Sequence, residues 1–225
     1  TGTNGQSLTD GLVIDCSKHL TSILDIDVEA GWVKVQAGVI RDQLNDYLRP
    51  LGVFFAPTLS TSNRATLGGM ANTDACGQGS RIYGRTSNHV LGLNLVLANG
   101  QQITSEEMSS EALRLKIETG GEVAKLYQQV SDLVTQKQAL INARFPKLNR
   151  FMTGYNLAHI HSERGFDLSK LICGSEGTLA LVSELTLKLT PIPRAKELLV
   201  LRYQSFDAAL RDATLLAQQN PEMKK

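Results

Sequence analysis

The sequence is poor in the features that mark a specialised surface. No apolar run approaches the ~20 residues a helix needs to cross a bilayer, so no transmembrane segment is expected. Aromatic residues make up only 5% of the 225 positions, and neither sign of charge is in excess. The 23 Lys and Arg against 22 Asp and Glu leave a formal net charge of +1. That balance removes the usual electrostatic case for a nucleic-acid or anionic-membrane partner. The three cysteines, Cys16, Cys76 and Cys173, contain no CxxC pair. Their odd number argues against a disulfide framework or zinc site and for a reducing compartment. The expected location is the cytoplasm, with a peripheral place at the inner face of the membrane as the alternative. Among the four histidines only His159 and His161 lie close together. Their spacing alternates on a strand and misses the i, i+4 arrangement of helical ligands, so no metal site is expected.

What is present is an ordinary globular composition, 42% hydrophobic and 20% charged, with strand and helix periods interspersed. Leu12-Val13-Ile14 is expected to be a short buried strand. From Gly31 to Gly38, Val33, Val35 and Ala37 share one face while Trp32, Lys34 and Gln36 share the other, which is strand alternation. Ile40, Leu44, Tyr47, Leu48 and Leu51 then follow a helical period up to a capping Gly52. Leu91, Leu93, Leu95 and Leu97 alternate into Asn99-Gly100, and residues 101–104 return as a hairpin. Val123, Leu126, Val130, Leu133, Val134, Leu140 and Ile141 mark one long helix ended by Pro146. Residues 178–190 and 197–203 are expected to form a hairpin-like strand pair. Ser205 is placed to cap a helix carrying Phe206, Ala209, Leu210, Ala213 and Leu216. The opening Thr1-Gly2-Thr3-Asn4-Gly5 has no initiator methionine and no start of an element, and is read as a piece of a longer protein.

Between Gly52 and Ser80 only Arg64 and Asp74 are charged, where average usage gives about six. This stretch is expected to be a long, mostly buried loop. Its small residues let backbone approach a ligand, and its glycines allow successive N–H groups to converge on an anion. A glycine-rich structural loop without a ligand fits the same composition. Gly77, Gly79 and Gly84 miss the GxGxxG spacing by two residues. Gly79 to Thr86 is one residue short of a Walker A motif, has Arg85 where Lys belongs, and leads into a strand. A phosphate loop must open a helix, so the NTPase reading fails. A second small-residue cluster, Gly174-Ser175-Glu176-Gly177-Thr178, precedes the strand at Leu179. It serves either as a tight turn or as the partner of the first cluster around one extended ligand.

Several stretches carry a resemblance when taken in order. They are Thr1-Gly2-Thr3, Val33 to Gly38 with Leu44 and Leu48, Pro57-Thr58-Leu59, Thr66 to Gly77, Tyr83-Gly84-Arg85-Thr86, and Gly174 to Leu179. Together they resemble the flavin-linked oxidase and dehydrogenase family with the p-cresol methylhydroxylase-type FAD-binding domain. The likeness is to its branch acting on D-lactate, glycolate and D-2-hydroxyglutarate, and it covers nearly the whole chain. Thr58 departs from the family's usual Asp, and Cys76 from a smaller residue. The resemblance implies an α+β, two-subdomain FAD-binding fold, with a mixed sheet plus a mainly antiparallel sheet flanked by helices. It divides the chain into residues 1–86, the first subdomain lacking its N-terminal part, residues 87–190, the second, and residues 191–225, the start of a substrate domain.

The cofactor implied is FAD, held weakly or not at all by this stretch alone. Its implied contacts are Thr1, Gly2, Thr3, Pro57, Thr58, Leu59, Gly68, Gly69, Asn72, Thr73, Gly77, Tyr83, Gly84, Gly177, Thr178 and Val182. Glu176 is either a ligand contact or a buried structural carboxylate. Cys76 and Cys173 are read as structural thiols. Arg81 and Arg85 are conceivable carboxylate contacts, although a solvated surface position suits both. The reaction implied is hydride transfer from a small 2-hydroxy acid to the flavin N5. In the family the substrate and base residues come mainly from the following domain, so no catalytic residue is expected here, and the electron acceptor is left open. Two alternatives are a UDP-sugar enolpyruvyl reductase sharing the flavin fold and a non-enzymatic scaffold built on it.

Overall fold

The computed structural model describes residues 11, 13–147, 154–195 and 197–219. Its centre is a five-stranded sheet in the order β1-β2-β8-β4-β5, in which every pairing is antiparallel. The strands are β1 (Ile23–Asp27), β2 (Trp32–Gln36), β4 (Val90–Val96), β5 (Gln102–Glu106) and β8 (Leu181–Lys188). The sheet thus takes β1 and β2 from before residue 86 and the other three strands from after it. Strand β8 lies at its middle, with Val35 opposite Leu185 on one side and Leu93 opposite Leu185 on the other. Val33, Val35, Leu185 and Leu187 are fully buried, and Leu93 and Leu95 nearly so. The alternation read between Gly31 and Gly38 therefore names the core face correctly. The two short ladders, β3 (Val53–Phe54) with β9 (Thr190–Pro191) and β6 (His161–Ser162) with β7 (Gly165–Phe166), are antiparallel as well. The α+β class stands, and no mixed sheet occurs among the described residues.

Helices cover the apolar side of this sheet. In α1 (Arg41–Leu48) the buried positions are Leu44 and Leu48, and a short 3-10 turn then ends at Gly52 with φ 75°. Tyr47 and Leu51, expected on the apolar stripe, are 50% and 44% exposed because the stripe is only two residues wide. The long helix, α5 (Gly121–Arg144), lies where its period places it and buries Ala124, Tyr127, Val134 and Ile141. Leu133 and Leu140 face outward. Helix α4 (Ser110–Glu118) was not legible in the sequence, because Leu113, Leu115 and Ile117 alternate like a strand. Its capping residue, Ser109, accepts a hydrogen bond from the Ala112 N–H. The long small-residue stretch is also less loop-like than expected. It contains β3 and α2 (Leu67–Asn72) and ends at α3 (Ser80–Tyr83).

Two expected strands are absent. Val13 and Ile14 lie outside any strand and are more than half exposed, while Leu12 is outside the described residues. Three apolar residues are too few to define a strand without a sheet edge to receive them. Residues 197–203 form no ladder with β8 either. Strand β8 already pairs with β2 and β4, so neither of its edges is open to a third strand. Leu198, Leu199 and Val200 are consequently 88%, 78% and 71% exposed. The expected last helix is present as α7 (Phe206–Gln219), with the Ala208 N–H donating to Ser205 Oγ.

Candidate functional site

The two small-residue clusters, far apart in sequence, dock directly on each other. The Gly174 N–H donates to the Ala71 carbonyl at 2.9 Å, and the Glu176 N–H to the Asn72 carbonyl at 2.8 Å. Glu176 itself takes a left-handed φ of 55° and is half-buried rather than a buried carboxylate. A β-carbon on Gly174 would come within 3.6 Å of Asp74 Cβ, and one on Gly177 within 3.8 Å of Asn72 Nδ2. Helix α2 presents the first cluster and a short helix, α6 (Ser169–Ile172), delivers the second. At their junction Asn72 Oδ1 is buried without a hydrogen-bond donor among the described residues. A buried acceptor left this way costs free energy unless a donor reaches it.

A second group closes around Thr58. Pro57 is buried and its carbonyl accepts from Arg41 Nε at 3.0 Å. Thr58 Oγ1 accepts from the Gly79 N–H at 3.0 Å, and a β-carbon on Gly77 would lie 2.4 Å from the Thr58 carbonyl oxygen. Leu59 packs against the core. Tyr83 stacks edge-on to Phe54 at 5.6 Å, and Gly84 takes φ 73° where a β-carbon would strike Asn88.

The remaining expected contacts are already engaged by the protein. Gly68 is a glycine because α2 lies against the residue that follows β2: a β-carbon there would sit 2.7 Å from Ala37 Cβ. The Gly69 N–H donates to Thr66 Oγ1, the Thr73 hydroxyl to the Gly69 carbonyl, and the Thr178 hydroxyl to the Ser175 carbonyl. Val182 is 2% exposed and its side chain belongs to the core. Thr1, Gly2 and Thr3 lie outside the described residues.

Holding these loops is a polar brace that sequence reasoning missed. Asp74 sits at φ 45°, in the left-handed region that Asp and Asn tolerate best among residues with a side chain. It pairs with Arg85 at 3.1 Å, the two side chains being 5% and 9% exposed. The Ser87 N–H donates to Asp74 Oδ1, and Lys170 Nζ donates to the Ser87 carbonyl while pairing with Asp167. Arg85 is therefore no solvated surface arginine. Its Nε is buried without an acceptor among the described residues. The one available signal was Asp74 itself, a charge inside an otherwise nearly uncharged stretch. Arg81, by contrast, is exposed as expected. Of the two thiols read as structural, Cys173 is buried and Cys76 half-buried.

His89 is 7% exposed, with Nε2–H donating to the Tyr83 carbonyl at 2.6 Å and Nδ1 buried without a partner among the described residues. Burial holds its pKa below the usual 6.5, so the native ring stays neutral where an unfolded one takes up a proton. The unfolded state then binds more protons below the unfolded pKa, and stability falls as pH falls through that window. Urea unfolding from about pH 7.5 to about pH 5.5 is expected to show this decline, with a shallower slope in His89→Gln. An equal slope in the variant would assign the decline to other groups.

Residues 1–106 match the model of the FAD binding domain family. Across 220 residues, 97% of the chain, it is 50% identical to a D-2-hydroxyglutarate dehydrogenase of Pantoea ananatis. It is 48% identical over 220 residues to one of Escherichia coli, and 31% identical over 211 residues to the glycolate oxidase subunit GlcD of Bacillus subtilis. The chain spans 22% of the length of those two dehydrogenases and 34% of the glycolate oxidase subunit. With two small-residue clusters docked around a buried acceptor, the chain is similar over residues 1–106 to the FAD binding domain family.

Proposed function

We infer that this chain is the FAD-binding part of a flavin-linked dehydrogenase oxidising a small D-2-hydroxy acid, with D-2-hydroxyglutarate as the substrate. The observation that carries the reading is the unpartnered Asn72 Oδ1 at the contact of the two clusters. A ribityl hydroxyl or a flavin ring N–H is the donor that this acceptor calls for. Residues 1–86 and 87–190 contribute the two walls of the cradle. The first wall supplies Thr1, Gly2, Thr3, Pro57, Thr58, Leu59, Gly68, Gly69, Asn72, Thr73, Gly77, Tyr83 and Gly84. The second supplies Gly177, Thr178 and Val182. Where side-chain hydroxyls are already bonded internally, as in Thr73 and Thr178, the backbone and the remaining lone pairs meet the cofactor. Bound FAD supplies the acceptor of the hydride. The protein's share is to fix the cofactor's position, exclude water behind it, and keep the loops from moving during the reaction.

Residues 191–225 open the domain that binds substrate. The exposed run from Leu198 to Leu201 supports this, because an apolar strand-like segment needs a sheet to join. Three free cysteines support a reducing location, the cytoplasm. The test is an absorbance spectrum of the purified chain after incubation with FAD and desalting. Weak or no retention of the flavin bands is expected in the chain alone and retention in a protein spanning the relatives' full length, with Asn72→Leu abolishing it. Bleaching of those bands by D-2-hydroxyglutarate in a protein spanning the relatives' full length is the second expected result. Bleaching by NADPH instead would point to a reductase, and a full-length protein that never binds flavin would overturn the reading.

A further inference from the structure

A loop at Gly154 and Tyr155 runs against the second small-residue cluster. A β-carbon on Gly174 would lie 3.2 Å from the Gly154 carbonyl oxygen, so the two backbones are in close contact. One residue on, the Tyr155 hydroxyl lies 2.8 Å from Thr178 Oγ1. Thr178 has a single hydroxyl proton, and that proton goes to the Ser175 carbonyl at 2.6 Å. Tyr155 is therefore the donor and Thr178 the acceptor, in a chain of hydrogen bonds that runs from Tyr155 through Thr178 to the backbone of the cluster. Thr178 Oγ1 keeps one lone pair for a further donor and has no second proton to give.

This tether does little for the fold. Tyr155 is 46% exposed, and Thr178 is exposed as well. Holding an exposed ring in one orientation costs side-chain entropy, and a hydrogen bond that water can replace offsets little of that cost. What the bond does is fix the sense of the Thr178 hydroxyl. Gly177, the residue before it, faces Asn72: a β-carbon there would lie 3.8 Å from Asn72 Nδ2. Asn72 Oδ1 is itself an acceptor without a donor among the described residues. Two acceptor oxygens thus stand at the contact of the clusters. A phosphate oxygen has no hydrogen to give to either, whereas a polyhydroxyl chain or a ring N–H has one.

We propose that Tyr155 is a positioning residue of the flavin cradle. By donating to Thr178 it holds that hydroxyl as an acceptor beside Asn72, and the two acceptors take the donor-bearing ribityl or ring part of FAD rather than its pyrophosphate. The inference rests on the flavin reading and adds to it a residue that lies in neither cluster.

The test is equilibrium titration with FAD of the flavin-free protein spanning the relatives' full length, as wild type, Tyr155→Phe, Thr178→Val and the double variant. Phe keeps the ring and removes only the donor, so the urea midpoint of Tyr155→Phe should stay at the wild-type value. FAD affinity is expected to fall about fivefold in Tyr155→Phe and about tenfold in Thr178→Val. The double variant should lose about tenfold as well, rather than the product of about fiftyfold that independent contacts give. The visible circular dichroism of the bound flavin should change in Tyr155→Phe, a signature that a purely structural residue would not move. Wild-type affinity or unchanged dichroism in Tyr155→Phe, or losses that multiply in the double variant, would overturn the role of Tyr155 and leave the flavin reading in place. A full-length wild-type protein that takes up no FAD would overturn both.

Discussion

Asp74→Ala is expected to lower the free energy of unfolding by about 3–5 kcal/mol, because it strands a buried guanidinium. The substitution removes the carboxylate paired with Arg85 at 3.1 Å and the acceptor of the Ser87 N–H at 2.8 Å. It also places a β-carbon without a polar group at φ 45°, which adds backbone strain. For a chain of this size each kcal/mol moves the thermal midpoint by about 2–4 °C, so a drop of about 10 °C is expected. Asp74→Asn keeps an acceptor for Ser87 and suits the left-handed conformation, so it should lose less than Ala. Replacing both partners with apolar residues, Asp74→Leu with Arg85→Met, should recover part of the loss, since the cost lies in the unpaired charge. Urea unfolding of the four proteins checks the series. A loss below about 1 kcal/mol in Asp74→Ala would show Arg85 swinging out to the surface and regaining water.

Gly77→Val is expected to weaken flavin binding strongly. A β-carbon at this position lies 2.4 Å from the Thr58 carbonyl oxygen and 2.8 Å from its carbon, both backbone atoms. Backbone cannot rotate away as a side chain can, so residues 57–59 must separate from residues 77–79. The hydrogen bond from the Gly79 N–H to Thr58 Oγ1 is lost with that movement. Overpacking of this kind costs about 1–3 kcal/mol of stability. The larger consequence is a displaced wall of the cradle, with FAD affinity falling by about tenfold or more. Gly31→Ala serves as the control. Gly31 has φ 77° with open space around it, so Ala there costs about 1 kcal/mol of strain and leaves flavin binding unchanged. Equilibrium titration with FAD, followed by fluorescence, separates the two variants. Equal affinity in Gly77→Val and wild type would place the cofactor elsewhere.

The same cradle shows how unevenly sequence and structure share the information. Gly77 and Gly68 both carry the small-residue signature, yet each is a glycine because another backbone or β-carbon stands against it. Composition says that something comes close; it does not say whether that is a ligand or the protein itself. Val182 shows the limit in the other direction. The family resemblance implied a cofactor contact there, and its position opposite Leu95 in β8 puts the side chain in the core, so that only its backbone is left for such a contact.

The periodic segments were legible from the sequence alone. Val33 and Val35 on one face of β2, Leu44 and Leu48 on α1, the Asn99-Gly100 hairpin and the long α5 all follow from local rules of spacing and turn chemistry. So did the presence of two backbone-exposing clusters and their order along the chain. The tertiary structure decided which elements found partners. Residues 197–203 have the composition of a strand but cannot pair with β8, which is already flanked on both sides. It also decided the state of Arg85, which only the fold brings against a buried Asp74, and the docking of Asn72 against Glu176. Local periods are written in neighbouring residues, whereas pairing, burial and charge compensation depend on residues far apart in the chain that meet only when it folds.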